Sequence, residues 1–327
     1  MTIVEPKPFL RLHCRLTRIA FVGDLGAYTK RVVLSVGVIL FNNVHNVDKL
    51  MKSLLDQKDT SFALIVIDNN SSDSSFASAS AFSKKFEERG VSFKAFRGSR
   101  NLGELGALDL VSKICETEFI TVVHGDDYLL EDFISNYNKI LLRNTGLGIV
   151  NTHLRMQTDS DSNPSVINPR WSRFKKLNRF LTYFGNPGLM PGALFASSVL
   201  REITYPTGEH DLLFNADSLL WFRFLKKGGN ITTINNCDYV YVRNELQSSS
   251  SPANDEMMAL SRFIRISESE TKLQKLLAQA GVEFDRNFVN FSSYLSFLLR
   301  LMPDLKIPKY ARLLNLVYSF ITRNSKG

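Results

Sequence analysis

Cysteine is scarce in this 327-residue chain: Cys14, Cys115 and Cys237 are odd in number, far apart and without metal-ligand spacing. That pattern excludes a disulfide framework and gives no zinc site. A long apolar run is missing as well, since no stretch reaches the ~20 residues that a membrane-crossing helix needs. The N-terminus lacks the continuous apolar core and small-residue cleavage site of a secretory signal. The sequence therefore predicts a protein of the reducing cytosol that neither spans a bilayer nor is exported by the usual route. No Gly-x-Gly-x-x-Gly follows the first strand and no Gly-x-x-x-x-Gly-Lys-Ser/Thr occurs, so the usual phosphate-cradling signatures of dinucleotide enzymes and P-loop proteins are absent. No internal repeat is visible.

What is present suits a soluble, globular protein. Apolar residues make up 44% and charged residues 22%, enough to build a large core over one large domain or two ordinary ones. The net charge of +8 is concentrated at the ends: residues 1–31 contribute +4, residues 284–327 contribute +5, and the 252 residues between them sum to −1. A near-neutral body with basic, aromatic ends fits contact with anionic lipid or a solvated tail, and argues against a nucleic-acid groove, which spreads Lys and Arg over the body.

The chain divides into a basic leader (1–31), a body (32–253) and an almost entirely helical region (254–327), whose aromatic and basic residues suit either a membrane surface or packing on the body or a partner. In the body, residues 32–40 are short, apolar and β-branched, as expected of a strand buried on both faces. Asn42 and Asn43 break it. Apolar Val47, Leu50, Met51, Leu54 and Leu55 then recur at helical spacing. A second buried strand over residues 62–67 runs into Asp68, and a helix is predicted to end near Gly90. A strand over 91–96, a turn at Asn101-Leu102-Gly103, a helix through Cys115 and a strand over 120–123 follow. Four strand and helix alternations predict an α/β fold with a mostly parallel central sheet covered by helices. Beyond residue 150, residues 158–170 read as a polar surface loop and residues 170–183 as a basic amphipathic helix, with a further helix over 215–227.

In such a sheet the strand ends near Asn42, Asp68, Asn101 and Asp126 face one edge, where α/β proteins hold ligands. His124-Gly125-Asp126-Asp127 delivers two adjacent carboxylates there; they read either as hard oxygen ligands for Mg²⁺ or Mn²⁺ on a diphosphate, or as a helix cap. Asp68 suits a base N–H or a ribose hydroxyl. Gly103 and Gly106 serve either close backbone approach to a nucleotide or tight helix–sheet packing.

Taken together, Ser35-Val36 with Phe41-Asn42, Ile67 to Asp73, Arg100-Asn101-Leu102-Gly103, His124-Gly125-Asp126-Asp127, Asn215 to Arg223, and Tyr239-Val240-Tyr241-Val242-Arg243 with Ser248 resemble, in order and spacing, family 2 of the inverting glycosyltransferases with the GT-A fold, of the bacterial surface-polysaccharide type. The resemblance covers about residues 32–250. It implies a donor site of Phe41, Asp68, Asn101, Gly103 and Arg243, a divalent metal (Mn²⁺ or Mg²⁺) held by Asp126 and Asp127, and Asp217 as catalytic base. It also implies a nucleotide-diphosphate sugar donor, UDP-linked above others, and a glycan or lipid-linked acceptor, which suits work at the inner face of the cell membrane.

The chain departs from the family pattern at three positions. His124 stands where the first Asp of Asp-x-Asp is usual, and reads as a weaker ligand, a water-mediated contact or, preferred here, a nearby group that does not ligate. Ala216 replaces a usual Glu, leaving Asp217 as sole candidate base, and Glu245 stands where many relatives have His. These departures motivate a second expectation, a glycosyltransferase-like scaffold at the membrane surface with little catalysis.

Overall fold

The computed structural model describes residues 17–18, 32–143, 149–158, 165–167, 190–204, 216–227, 229 and 231–243. The elements, in chain order, are β1 (Thr17–Arg18), β2 (Leu34–Leu40), α1 (Val47–Leu55), β3 (Ala63–Asp68), α2 (Ser75–Ser80), α3 (Ser83–Glu88), β4 (Ser92–Arg97), α4 (Gly103–Ile114), β5 (Phe119–His124) and β6 (Tyr128–Leu129). They continue as α5 (Phe133–Arg143), β7 (Ile149–Thr158), β8 (Ser165–Ile167), β9 (Leu194–Ala196), α6 (Ser197–Ile203), α7 (Ala216–Lys226) and β10 (Ile231–Arg243).

All strands join one ten-stranded sheet in the order β1-β4-β3-β2-β5-β9-β7-β10-β6, with β8 on β7. The four strands read from the sequence, β4, β3, β2 and β5, are mutually parallel. Antiparallel β9 joins them to the second half, in which β10 runs parallel to β7. This is the mixed, mostly parallel GT-A arrangement.

Each face of the sheet carries its own core. Val36, Val38 and Leu40 of β2 alternate to one side, where they pack with Leu50, Met51 and Leu54 of α1, Phe86 of α3 and Phe133 and Tyr137 of α5. Ile39, Ile65, Ile67, Ile120 and Val122 meet Leu108 and Val111 of α4, Leu200 of α6 and Trp221 of α7 on the other side. Two faces covered in this way explain why the inner strands β2, β3 and β5 are apolar over most of their length. Gly37 sits in the middle of β2, where a Cβ would fall 2.6 Å from Val111 Cγ1, so its missing side chain sets how closely α4 approaches.

Two expectations need correction. The single helix ending near Gly90 is two, because the chain tightens between them with Phe82 N–H donating to Ala79 O at 3.1 Å, a three-residue spacing. Within the polar stretch 158–170, Ser165–Ile167 forms β8, pairing antiparallel with Leu154 to Met156 of β7; its β-branched Val166 and Ile167 favour the extended backbone. The basic helix expected over 170–183 and the helical region 254–327 lie outside the described residues. Among the described residues no helix is long and apolar enough to cross a membrane.

The Gly37 contact yields a stability prediction. Gly37→Ala should lower unfolding free energy by about 1–3 kcal/mol, the usual cost of overpacking a core against a stiff β-branched neighbour. Adding Val111→Ala should recover part of that loss. Equilibrium denaturant unfolding of both variants measures it.

Candidate functional site at the carboxyl edge of the sheet

Strand register lines up the candidate residues. Leu40 pairs with Asp68, Asp68 with Arg97, and Ile39 with His124, so the ends of β2, β3, β4 and β5 form one row. The loops that follow carry Phe41, Asn69, Asn101 and Asp126 from that row. Phe41, an apolar residue left 44% exposed at this edge, is suited to stacking on a planar ring.

Asp68 is fully buried, and its acceptor capacity is already in use. Oδ1 accepts the Ser71 hydroxyl, Ser71 N–H reaches Oδ2 at 3.2 Å, and Arg97 Nε lies 3.2 Å from Oδ2. Arg97 also donates to Ser71 O at 2.6 Å. The guanidinium therefore closes the Asp68 turn on itself. Its side chain is partly exposed at the same edge, which makes Arg97 a site residue that the sequence reading missed. No local sequence pattern links the two residues, which meet only through the register of β3 and β4.

The β2 loop is locked to the same turn. Asn42 sits at φ +56, a left-handed backbone that Asn tolerates better than most residues, and its side-chain oxygen accepts Ser72 N–H from the neighbouring loop at 2.8 Å. Asn43 N–H donates to Ser75 Oγ at 2.8 Å, and Val44 N–H to Asp73 Oδ2 at 3.1 Å. Burial pushes the Asp73 carboxyl up, but the Ser75 hydroxyl and the Ser75 and Val44 amides outweigh it and hold the group below its usual range. Gly125 packs against Asn43 and Leu40 with no room for a Cβ, so the loop after β5 rests directly on the loop after β2.

Asn69 organises the next turn. It is buried, donates to Asn101 Oδ1 at 2.8 Å and Gly103 O at 3.1 Å, and accepts Leu102 N–H at 2.8 Å. Asn101 in turn accepts Gly103 N–H at 2.8 Å. Gly103 has φ +67, so the turn into α4 requires its lack of a side chain. Asn101 and Gly103 thus shape the edge through backbone geometry.

The β5 loop holds the charged centre. His124 Nε2 lies 3.6 Å from Glu104 Oε1, too long for a hydrogen bond but within ion-pair range, and Nδ1 lies 3.9 Å from Asp127 Oδ2. Burial favours neutral imidazole, yet Glu104 and then Asp127 and Asp126 outweigh it and raise the His124 pKa to about 9. Asp127 is buried; its Oδ2 accepts the Tyr239 hydroxyl at 2.5 Å and its Oδ1 the Val242 N–H at 2.9 Å. Burial first, and then the charge of Asp126, raise its pKa to about 8, partly offset by His124 and these two donors. Asp126 is half-buried in the turn between them.

The remaining expected residues are placed less fully. Asp217 falls in the first turn of α7, but its side chain lies outside the described residues. Arg243 is the last residue of β10, exposed and one step beyond Val242. Of the Pro/Gly-rich stretch 186–193, the described part is a turn whose Gly192, at φ +69, packs on the Tyr239 ring and accepts the Tyr137 hydroxyl on its carbonyl.

The two raised pKa values predict a pH profile. With the His124 pKa at about 9 against 6.5 unfolded, the folded protein keeps a proton that the unfolded chain has lost within that window, so stability falls as pH rises through it. Asp127, raised from 3.8 to about 8, acts in the same direction at lower pH. Thermal unfolding midpoints should decline from pH 6.5 to 9 and decline less in His124→Gln; equal slopes would contradict the raised His124 value.

The chain resembles the 1–349 fragment of S. aureus TarS in complex with UDP-GlcNAc, with 17% identity, a TM-score of 0.57 and coverage of 86% of this chain and 78% of that one. It also resembles the mannosyltransferase PcManGT of Pyrobaculum calidifontis in complex with GDP-Man and Mn²⁺, with 15% identity, a TM-score of 0.55 and coverage of 89% and 81%. No curated protein sequence matches significantly. At these identities the likeness establishes the fold. The profile described as "Glycosyl transferase family 2" matches residues 35–203, more than half of the chain and the whole row of strand ends built above, and the chain therefore belongs to that family of glycosyltransferases.

Proposed function

We propose that this chain is an inverting glycosyltransferase that moves a sugar from a UDP-linked donor to a hydroxyl of a glycan or lipid-linked oligosaccharide, with Asp217 as general base. The observation that carries the reading is the alignment of Asp68, Arg97 and the His124 loop along one sheet edge beside the exposed Phe41 ring. Phe41 takes the face of the base. The Asp68 turn, with Asn101 and Gly103, forms the wall around base and ribose. Arg243 offers a planar cation to the diphosphate.

Metal fits this edge by the chemistry of its donors. Mg²⁺ and Mn²⁺ prefer hard oxygens and commonly take one or two carboxylates with substrate phosphates completing the shell. Asp126, a half-buried carboxylate in the turn beyond β5, suits that role. When bound, such an ion supplies neutralisation of charge on the departing diphosphate.

An acceptor hydroxyl is a poor nucleophile, so a carboxylate must remove its proton as it attacks the anomeric carbon from the face opposite the leaving group. That single displacement inverts the configuration and needs one base. Ala216 leaves Asp217 as the acid at the start of α7. The basic, aromatic ends of the chain support an acceptor carried at an anionic membrane surface, and so a place at its inner face.

Purified protein supplied with Mn²⁺, a panel of nucleotide sugars and candidate acceptors should release nucleoside diphosphate. Asp217→Asn should lower turnover by about 10²–10⁴-fold, the usual contribution of a positioned base, while retaining donor binding. An unchanged rate would remove Asp217 from the mechanism. Donor binding without turnover across a broad acceptor set would instead support the scaffold reading that His124 and Ala216 motivate.

A further inference from the structure

We propose that Asp127 and Tyr239 form an internal brace that fixes the Asp126 turn against β10, making Asp127 a positioning residue and not a second metal ligand. The inference rests on the donor-site reading above and deepens it.

The geometry of the carboxylate comes first. Asp127 is 1% exposed, and each of its oxygens accepts a hydrogen from β10: Oδ2 from the Tyr239 hydroxyl at 2.5 Å and Oδ1 from the Val242 amide at 2.9 Å. With its side chain fully buried and one lone pair on each oxygen already taken by β10, the carboxylate offers an approaching cation far less than the half-buried Asp126 does. The tyrosine is equally fixed. Its oxygen also accepts His124 N–H at 3.3 Å, so one hydroxyl bridges the end of β5 and the turn beyond it. Its ring is fully buried, packed edge-on to Phe133 at 6.4 Å between centroids. Gly192 lies against that ring, where a Cβ would come within 2.9 Å of Tyr239 Cδ2, and β10 is tied to β6 at Tyr239 and Leu129. The ring therefore has no room to withdraw its hydroxyl.

The consequence is positional. The acid before Asp127 is the proposed ligand Asp126, and the residue after Val242 is Arg243, proposed to meet the diphosphate. Through its bond to Val242, 115 residues away in the chain, a single buried carboxylate thereby sets the proposed metal ligand on one loop against the proposed phosphate contact on a strand. Groups that orient ligands from behind typically change metal affinity or activity by about 10–100-fold when removed.

The test uses the full-length protein and its Asp126→Asn, Asp127→Asn and Tyr239→Phe variants. UDP and GDP binding is measured by calorimetry with and without Mn²⁺, and amide exchange at Val242 and residues 124–127 is followed in the ligand-free proteins. A brace predicts that Tyr239→Phe exchanges faster at Val242 and binds the nucleotide with Mn²⁺ about tenfold more weakly. It also predicts that Asp127→Asn keeps a weakened Mn²⁺ dependence, whereas Asp126→Asn loses it. Loss of that dependence in Asp127→Asn to the same degree as in Asp126→Asn would overturn the proposal, as would exchange and affinity in Tyr239→Phe equal to those of the parent. Should the unmodified protein bind neither nucleotide, the donor-site reading fails, and exchange at Val242 in Tyr239→Phe and Asp127→Asn decides the brace alone. That readout also stands for Asp127→Asn if the tyrosine variant fails to fold.

Discussion

Pairing of Leu40 with Asp68 and of Asp68 with Arg97 governs everything at the site, because a strand slipped by one residue turns every side chain to the opposite face of the sheet. The apolar cores on both faces resist such a slip. Val36 and Val38 belong to one cluster and Ile39 to the other, so the same alternation that buries β2 also decides which way its last residues present the loop beyond. Register at the edge is thus maintained by burial along the whole strand, and the polar network needs only to shape the final few residues.

That network is built from short side chains. Asn42, Asn43, Ser71, Ser75 and Asp73 bond one another's backbones across the two loops, and Asn69 does the same for the turn before α4. Asn, Ser and Asp compete with regular secondary structure for backbone groups, which makes them poor helix formers and good builders of fixed loops. A ligand edge needs such loops, since a regular element would satisfy its own amides and leave none for shaping a cleft. The β-branched strands and the polar loops are therefore two halves of one arrangement.

Much of this was legible in the sequence, for identifiable reasons. Buried strands announce themselves as short β-branched runs, and α1 shows its inner face through Val47, Leu50, Met51 and Leu54, all of them buried. Asn42 and Gly103 were readable as breaks because their residue types tolerate the backbone angles found there. At Gly106 a Cβ would meet that of Leu102, at the start of the same helix, at 2.7 Å, so the first turn of α4 itself leaves no room for a side chain there. What escaped was pairing at a distance. Arg97 closing on Asp68, Glu104 meeting His124, and Tyr239 bonding Asp127 each join residues that share no local pattern, and only the register of the sheet brings them together. Asp127 illustrates the limit most sharply. Beside Asp126 in the chain it looks like a twin, yet its burial and two strand donors give it different surroundings.

The histidine at position 124 fits that division. Three acids, Glu104, Asp126 and Asp127, gather around it, and a fourth carboxylate in its place would add repulsion in a region that already disfavours charge. A cationic imidazole 3.6 Å from the Glu104 carboxylate instead offsets part of the negative charge. On the proposed reading this leaves Asp126 as the acid that attracts a divalent ion, while the diphosphate approaches an edge less negative than two exposed aspartates would make it. On that reading the site would trade strength of ion binding for weaker repulsion of the donor, and its metal affinity would depend closely on how firmly the turn carrying Asp126 is held.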